Sequence, residues 1–404
     1  MKTYDVVVVG GRVAGASTAL LLARAGLRVA LLERGRHGSD TLSTHGLMRA
    51  GVLQLSRWGI LSDVVAAGTP PVQRTIFHHL GADPVQVTIR PGWGVPALFA
   101  PRRYLLDRLL VDAAAAAGVH VRHRTTAMSL LRDERGAVTG VRARNPWGRE
   151  SEYAAAVTVG ADGIRSLVAR EAGAVVVRQA RHASAVLYRY HAGLPVAGYE
   201  WAFAPGAGAG MLPTNDGQTA VFVGTTPARM RELRRLGADD ALRTLLAETA
   251  PEHAARAAGT EPVSRIHGFA GVPGFVRRSF GPGWALVGDA GYFKDPISAH
   301  GITDALRDAE LLADAIVQAL AGEVPTSVAL GRYQAVRDRL SGRLFDVTEA
   351  IAGYDWDTPG VQALLRELSS AMSDEVDHLM ARVGHGFGED SSAFVRPDSV
   401  PARR

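Results

Sequence analysis

The sequence predicts an α/β protein in which a Rossmann-like dinucleotide-binding domain carries an inserted β-sheet domain and is followed by C-terminal helices. Two glycine-containing segments, residues 4–35 and 283–316, support this fold class from opposite ends of the chain. Between them, short runs of alternating apolar residues are typical of strands of a second sheet. At 404 residues the chain is long enough for two closely packed domains.

The first segment has the pattern of a strand, a tight glycine turn, a helix and a second strand that ends in an acid. In this pattern Gly10 makes the turn and Gly15 lets the helix pack on the strand. The amino terminus of the helix then faces a pyrophosphate group, because its free N–H groups and the helix dipole favour negative charge. Arg12 replaces the usual middle glycine, which is compatible with this geometry if its side chain points outward. Glu33 has the spacing of an acceptor for a ribose 2′-hydroxyl group, which argues against a 2′-phosphate here.

The second segment predicts a strand that ends at Gly288 and Asp289, followed by a loop with Pro296 that opens another helix. Either segment alone is a weak signal. Both together, in this order and at opposite ends of the chain, indicate one bound FAD rather than the cofactor site of a plain NAD dehydrogenase.

The remaining elements follow from periodicity and turn residues. Helices are predicted over residues 47–58, 103–117 and about 300–383, and strands over residues 85–89, 137–144, 153–159, 184–191 and 219–225. The glycine-rich stretch 205–210 is interpreted as a loop that acts as a mobile gate. We assign residues 1–70, 100–175 and 276–325 to the FAD-binding domain and residues 71–99 and 176–275 to a substrate-binding β-sheet domain. Residues 326–384 are predicted to form C-terminal helices, and residues 385–404 a loose tail.

The composition excludes several classes of protein. The 45 basic residues barely exceed the 40 acidic ones and are spread along the chain, so no nucleic-acid footprint is present. No apolar run approaches the roughly 20 residues of a membrane span, and a strand begins almost at once, so we expect a cytoplasmic protein without a signal peptide. The chain has no cysteine, which excludes disulfides, thiolate zinc sites and iron–sulfur clusters. We predict no metal site.

Three further motifs make the pattern specific. Residues 159–166 place Asp162 and Gly163 after a strand, residues 286–290 contain the Gly-Asp pair, and Arg103 opens a helix after the first substrate strands. With residues 4–35, they resemble the p-hydroxybenzoate hydroxylase family of single-component (group A) FAD-dependent monooxygenases. The resemblance spans about residues 4–320 and extends to the geranylgeranyl reductases and the flavin-dependent halogenases. It implies an FAD-binding domain of the GR2 type, in which Asp162 contributes to FAD and nicotinamide contacts.

The same resemblance places two loops at the flavin ring. Residues 296–303 lead into a helix whose N–H groups, from Gly301 and Ile302, face the N1–C2=O edge of the flavin. The monooxygenase pattern is usually richer in glycine here, with Gln and Asn, whereas this chain has Ala299 and His300. This departure keeps the related families open as alternatives. His300 is either an acid/base or a structural histidine.

Residues 43–47 form the second loop, which should lie along the isoalloxazine. His45 either contacts flavin or substrate, with a covalent histidyl–flavin bond as one alternative, or only satisfies polar groups of its own loop. The predicted cofactor-binding residues are Gly10, Gly11, Arg12, Val13, Ala14, Gly15, Glu33, Arg34, Thr44, Gly46, Arg103, Asp162, Gly163, Gly288, Asp289, Pro296, Gly301 and Ile302. The candidate catalytic residues are His45 and His300, and the candidate substrate contacts are Tyr188, Tyr190, Trp201, Phe203 and Met211.

The resemblance implies a monooxygenase that hydroxylates or epoxidises an aromatic or polyketide-type small molecule through a flavin C4a-hydroperoxide. Its co-substrate is O₂, its reductant is NAD(P)H, and its setting is the tailoring of natural products in secondary metabolism. A flavin-dependent alkene reductase of the geranylgeranyl reductase kind is the alternative. A halogenase is less well supported, because it needs a lysine between the nucleotide and Asp-Gly motifs, and the sequence has none between Lys2 and Lys294. A non-enzymatic FAD-dependent scaffold would show no substrate-stimulated oxidation of NAD(P)H.

Overall fold

The computed structural model describes residues 2–382, which form three β-sheets. The strands are β1 Lys2–Val9, β2 Val29–Leu32, β3 Arg74–His79, β4 Ala82–Thr88, β5 His120–Arg122, β6 Thr126–Arg132, β7 Val138–Arg144, β8 Glu150–Gly160, β9 Val176–Gln179, β10 Ala185–Ala192, β11 Tyr199–Ala204, β12 Ala207–Pro213, β13 Gln218–Thr225, β14 His267–Phe269, β15 Phe275–Arg277, β16 Phe280–Gly281, β17 Trp284–Leu286 and β18 Tyr292–Phe293.

Helices surround these sheets and form the carboxyl-terminal part of the described chain. They are α1 Val13–Arg24, α2 Arg49–Arg57, α3 Leu61–Ala66, α4 Arg103–Ala116, α5 Leu167–Glu171, α6 Pro227–Leu233, α7 Ala238–Thr249, α8 Pro251–Ala258, α9 Gly301–Leu320, α10 Thr326–Ala352 and α11 Thr358–Arg382. Short 3-10 turns at Gly288–Ala290 and Pro296–Ser298 precede α9. Among the described residues, none of the helices is long and apolar enough to cross a membrane.

The first sheet contains the predicted strands of both glycine-containing segments. Its strand order is β16-β17-β8-β1-β2-β5, with β7 beside β8 and β6 beside β7. Strand β1 pairs in parallel with both β2 and β8, and its valines at positions 6–9 are buried, as expected for a strand covered on both faces. Helices α1, α4 and α9 pack together with this sheet in one hydrophobic core. The predicted α/β fold class with a Rossmann-like unit is confirmed.

The second sheet has the strand order β14-β10-β13-β12-β11-β3-β4 and is antiparallel except for the β11–β3 pair. Helices α7 and α8 cover one face, and the segment around Trp356 packs on the other. The interpretation of residues 205–210 as a mobile loop is wrong. Residues 207–213 form the buried strand β12, paired on both sides, and only Pro205 and Gly206 make the turn.

The third sheet is small and joins β18, β15 and β9. Strands β9 and β15 come from the two ends of the predicted substrate-binding segment 176–275, and they pair with each other rather than with the second sheet. The division of the chain into domains stays a prediction. The predicted tail, residues 385–404, lies outside the described residues.

Candidate active site

The turn between β1 and α1 has no room for side chains. Gly10 adopts φ +104°, and a Cβ atom there would lie 2.3 Å from the carbonyl oxygen of Ala161. A Cβ atom on Gly15 would lie 1.8 Å from the carbonyl oxygen of Gly10. The first helical hydrogen bond runs from the Ala16 N–H to the Arg12 carbonyl, so the N–H groups of Val13 and Ala14 are left for a ligand. This turn offers the donors that a pyrophosphate needs.

Glu33 is fixed beside this turn at the end of β2. Its Oε2 atom accepts a hydrogen bond from the Gly11 N–H at 2.6 Å, and its Oε1 atom accepts one from the Gly35 N–H at 2.5 Å. These two bonds orient a buried carboxylate next to the amino terminus of α1. Arg34 follows it on the exposed surface.

Arg12 points away from the turn and toward helix α4. Its guanidinium lies 2.8 Å from Asp107 Oδ2 and bonds to Ser39. Arg103 binds the other oxygen of Asp107 at 3.0 Å. One buried carboxylate therefore holds two guanidinium groups and leaves a net positive charge near α1. Asp107 was not among the residues predicted from the sequence, although its i, i+4 spacing from Arg103 on a helix was a usable signal.

Gly288 and Asp289 face the same region from the 3-10 turn after β17. Gly288 adopts φ +58°, and a Cβ atom there would lie 2.8 Å from the Cβ atom of Ala14. The Asp289 carboxylate makes no hydrogen bond to any residue between 2 and 382. Burial raises its pKa to about 6, against the lowering effect of Arg103 and Lys294. An unpaired carboxylate in this position suits a hydroxyl donor such as the ribityl chain.

The carboxylate of Asp162 forms hydrogen bonds within the chain. Its carboxylate accepts hydrogen bonds from the Ser166 hydroxyl at 2.5 Å and from the Leu167 N–H at 2.6 Å, at the start of α5. Burial raises its pKa in spite of these bonds. Gly163, with φ +79°, makes the turn that follows. These bonds account for Asp162 as a turn residue, and its contact with FAD stays a prediction.

The two predicted flavin loops touch each other. A Cβ atom on Gly46 would lie 3.3 Å from the Cβ atom of Ala299, which itself adopts φ +49°. Helix α9 then begins at Gly301, which is exposed, and a Cβ atom added there would meet open space. Pro296 lies in the half-buried 3-10 turn before it, and the side chain of Ile302 enters the core behind it. The open start of α9 is the arrangement expected beside a flavin edge.

His300 is buried and paired. Its Nε2 atom lies 2.5 Å from Glu375 Oε2 on α11, and Arg307 Nη1 lies 3.1 Å from Glu375 Oε1. Burial alone would raise the pKa of Glu375, but the charges around His300 and Arg307 lower it to about 2. Burial lowers the pKa of His300. These contacts explain His300 as a link between α9 and α11, and a catalytic role stays a hypothesis without a contact that supports it.

His45 joins its loop to strand β10. It adopts φ +61°, is 1 % exposed, and places Nε2 at 2.5 Å from the hydroxyl of Tyr190. Burial, and then the charge of Arg102, lower the pKa of His45 to about 3, so the imidazole is neutral at physiological pH. The Arg102 guanidinium lies over the Tyr190 ring, 3.6 Å from its centroid. The Tyr188 hydroxyl accepts a 3.4 Å hydrogen bond from the Ser43 N–H in the loop that carries His45. Half-buried Thr44 lies next to His45. The structure thus brings a candidate catalytic residue together with two candidate substrate residues.

The other substrate candidates divide between the two faces of the second sheet. Trp201 and Phe203 share a buried cluster with Ala299, and Tyr354 and Trp356 complete this cluster. The Trp356 ring lies 6.0 Å from that of Phe203. We call the four aromatic residues 201, 203, 354 and 356 the aromatic wall.

Met211 lies on the opposite face from the aromatic wall, and its role as a substrate contact stays a prediction without a contact that supports it. It packs with Leu242 and Leu245 under helix α7, and Arg256 bonds to its sulfur. Successive residues of a strand point to opposite faces, and the next residue, Leu212, joins the aromatic wall instead. Tyr354 and Trp356 were missed because their packing partners lie far away in the sequence.

The residues at this site fit FAD. The glycine turn offers free N–H groups, Glu33 and Asp289 offer carboxylates, and α9 starts in open space beside Gly46. The model of the FAD binding domain family matches residues 3–348. A digeranylgeranylglycerophospholipid reductase from Methanocella arvoryzae is 27% identical over 376 residues, which cover 89% of this chain and 90% of that protein.

Solved structures share the fold. PqsL from Pseudomonas aeruginosa, described as a probable FAD-dependent monooxygenase, is 25% identical with a TM-score of 0.71, covering 92% of this chain and 100% of that one. In complex with 2-aminobenzoylacetate it gives a TM-score of 0.76, with the same identity and coverage. The flavin-dependent brominase Bmp2, at 18% identity and a TM-score of 0.79, covers 95% of this chain and 100% of its own and shows the fold alone.

Proposed function

Since the chain belongs to the FAD binding domain family and is an FAD-dependent oxidoreductase, we propose that it is a monooxygenase of aromatic small molecules. In the proposed reaction one atom of O₂ enters the substrate, the other leaves as water, and NAD(P)H supplies the two electrons. Bound FAD supplies the redox chemistry that couples NAD(P)H to O₂. The protein supplies a binding site, an orientation for the substrate and protection from water.

The aromatic wall carries this proposal. Trp201 and Phe203 from β11 meet Tyr354 and Trp356 from the segment between α10 and α11, and all four are at most 9 % exposed. The wall packs on Ala299, directly before the open start of α9. If the flavin lies at the start of α9, flat apolar rings beside it favour an aromatic substrate and exclude water. The likeness to PqsL, which has been seen with 2-aminobenzoylacetate, supports the same substrate class.

The His45–Tyr190 pair supports a substrate with an ionisable group. The Tyr190 hydroxyl and His45 Nε2 are 2.5 Å apart, and the pair is neutral because burial lowers the pKa of the imidazole and raises that of the phenol. A neutral hydrogen-bonded pair can hold or pass a proton without a buried charge. We assign it to positioning a phenol or aromatic amine during oxygenation.

Alkene reduction is the second candidate, because the curated relatives that match most of the chain are digeranylgeranylglycerophospholipid reductases. Halogenation is disfavoured by the position of Lys294. Its ammonium group pairs with Asp304 and its side chain is 3 % exposed, so it is held inside the protein rather than free in a substrate cavity.

The experiment that tests the proposal is product analysis under ¹⁸O₂. The FAD-loaded protein is incubated with NADH or NADPH and a panel of phenols, aminobenzoyl compounds and polyketide aromatics. Monooxygenation predicts accelerated NAD(P)H oxidation and a product with one ¹⁸O atom. A product that gains two hydrogen atoms from an isoprenoid acceptor under anaerobic conditions, without any oxygenated aromatic, would replace this proposal with alkene reduction.

A further inference from the structure

Three residues with metal-binding side chains meet on the outer face of the second sheet. They are His78 in β3, Glu200 in β11 and His253 in α8. Strands β3 and β11 pair in parallel with His78 opposite Ala202, so His78 and Glu200 lie on the same face, two positions apart. One ligand atom from each of the three residues lies within 4.8 Å of the other two. His253 Nε2 and Glu200 Oε2 are 3.1 Å apart.

Two members of this cluster are buried, His78 is half-buried, and the polar atoms of the cluster are incompletely satisfied. The side chains of His253 and Glu200 are each 2 % exposed. His78 Nε2 is buried without a hydrogen-bond partner in the described part of the chain, whereas His253 Nε2 has the Glu200 carboxylate beside it without good hydrogen-bond geometry. The remaining oxygen of Glu200 is held by the Ala197 N–H at 3.0 Å. A buried imidazole nitrogen without a partner is unusual, and that of His78 indicates that the cluster with Glu200 and His253 lacks a ligand.

We propose that His78, Glu200 and His253 bind a divalent transition-metal ion of the zinc class. Two imidazoles and one carboxylate are a donor set that Zn²⁺ prefers, and a fourth position remains for water. The ion would join β3, β11 and α8, and would thereby fasten a short helix to the sheet. The absence of cysteine in the chain restricts zinc binding to imidazole and carboxylate ligands of this kind.

A second group with similar spacing, His300, Asp304 and Glu375, does not carry the same inference. Its carboxylates are already paired with two buried cations, Arg307 and Lys294, whose side chains are 0 % and 3 % exposed. A metal ion there would have to displace fixed positive charges.

At the proposed site the competing cation is Arg256, which lies 2.8 Å from Glu200 Oε2 with a side chain that is 37 % exposed. A carboxylate oxygen has two lone pairs, so Arg256 and a metal ion can share it, at a cost in affinity from their mutual repulsion. Removing this arginine should therefore strengthen metal binding. If Arg256 only held the Glu200 carboxylate in place, its removal would instead weaken metal binding.

The site is separate from the proposed reaction. Glu200 is followed in β11 by Trp201, which belongs to the opposite face and the aromatic wall. The metal proposal does not depend on the proposed monooxygenase activity, and its failure would leave that activity untouched.

The test is a calorimetric titration of the chelator-treated, FAD-loaded protein with Zn²⁺, and with Co²⁺ as a spectroscopic probe. We expect one ion per chain and a rise in Tm on binding. His78→Gln and His253→Gln should weaken binding by more than the roughly 10- to 100-fold that outer-shell partners contribute. The neighbouring His79→Gln is the matched control, because His79 points to the other face of β3 and stacks on Phe203. Arg256→Gln should bind more tightly than the wild type.

Absence of stoichiometric Zn²⁺ and Co²⁺ binding by the wild type would overturn the proposal, whatever the variants do. Equal binding by His253→Gln, His78→Gln and His79→Gln would also overturn it, since the ion would then sit elsewhere. If one ligand variant does not fold, the wild-type titration together with the sign of the Arg256→Gln effect still decides.

Discussion

Asp289 gives the sharpest test of the cofactor site, because its carboxylate makes no hydrogen bond of its own within residues 2–382. If it accepts a hydroxyl group of FAD, Asp289→Ala removes one hydrogen bond to a charged acceptor. Such bonds contribute about 1.5–3 kcal/mol. At about 1.4 kcal/mol per factor of ten, the Kd for FAD should rise about 10- to 150-fold. Asp289→Asn should lose about half of this free energy, since neutral hydrogen bonds are roughly half as strong.

The same variants should leave the apoprotein intact. Burial raises the pKa of Asp289 to about 6, so its negative charge at neutral pH opposes folding and is not a source of stability. The free energy of unfolding of the apoprotein should therefore stay unchanged or increase slightly in Asp289→Asn. This combination, weaker FAD binding with undiminished stability, separates a cofactor contact from a structural one.

The assay is fluorescence titration of apoprotein with FAD, accompanied by urea unfolding without FAD. Asp63→Ala, an exposed acid in α3, is the control and should match the wild type in FAD affinity. An FAD affinity within twofold of the wild type in Asp289→Ala would refute the assignment. A loss of apoprotein stability in Asp289→Asn would refute the electrostatic part of the reasoning.

Three further sets of substitutions test the glycine turn, the buried charge cluster and the two faces of the second sheet. Gly15→Ala should abolish FAD binding or folding, because the new Cβ atom would lie 1.8 Å from a carbonyl oxygen. The control is Gly342→Ala in α10, where a Cβ atom meets open space, and it should raise the free energy of unfolding in urea by about 0.5–1 kcal/mol. Glu375→Gln leaves a buried guanidinium short of one carboxylate and should cost about 3–5 kcal/mol. The pKa of Glu375 is lowered to about 2, so its carboxylate stabilises the fold at pH values above the ordinary carboxyl pKa. This stabilisation is lost as the pH falls toward 2. The free energy of unfolding of Glu375→Gln should therefore depend less on pH in this range than that of the wild type. Phe203→Ala and Met211→Ala should each lower the free energy of unfolding by about 2–5 kcal/mol. Only Phe203→Ala should also change the KM of an aromatic compound that stimulates NAD(P)H oxidation. A KM change of similar size in Met211→Ala would contradict the assignment of the two residues to opposite faces.

Local sequence patterns were sufficient for the nucleotide-binding turn. Gly10, Gly15 and Glu33 occupy the predicted positions because a strand, a tight turn and a helix over some thirty residues are determined by local sterics. The open start of α9 at Gly301 follows from the same kind of short-range signal.

The second sheet could not be predicted in the same way. Its glycine-rich strand β12 looks like a loop, because the reason for its glycines lies in another strand: a Cβ atom on Gly210 would lie 2.4 Å from the ring of Phe222. The outward face of Met211 likewise depends on a pairing register that is set by distant residues. Tyr354 and Trp356 were missed because their partners are contributed by packing between elements, and Asp107 had only its i, i+4 pair with Arg103 as a local signal, since Arg12 comes from another element.

Oxygen transfer itself is tested most directly by stopped-flow absorbance after the reduced, FAD-loaded protein is mixed with O₂. The proposed monooxygenase should show a transient spectrum distinct from those of reduced and oxidised flavin, and an aromatic substrate should accelerate both NAD(P)H oxidation and the decay of that transient. Direct return to oxidised flavin, without a transient and without stimulation by any aromatic compound, would contradict the proposal and favour alkene reduction.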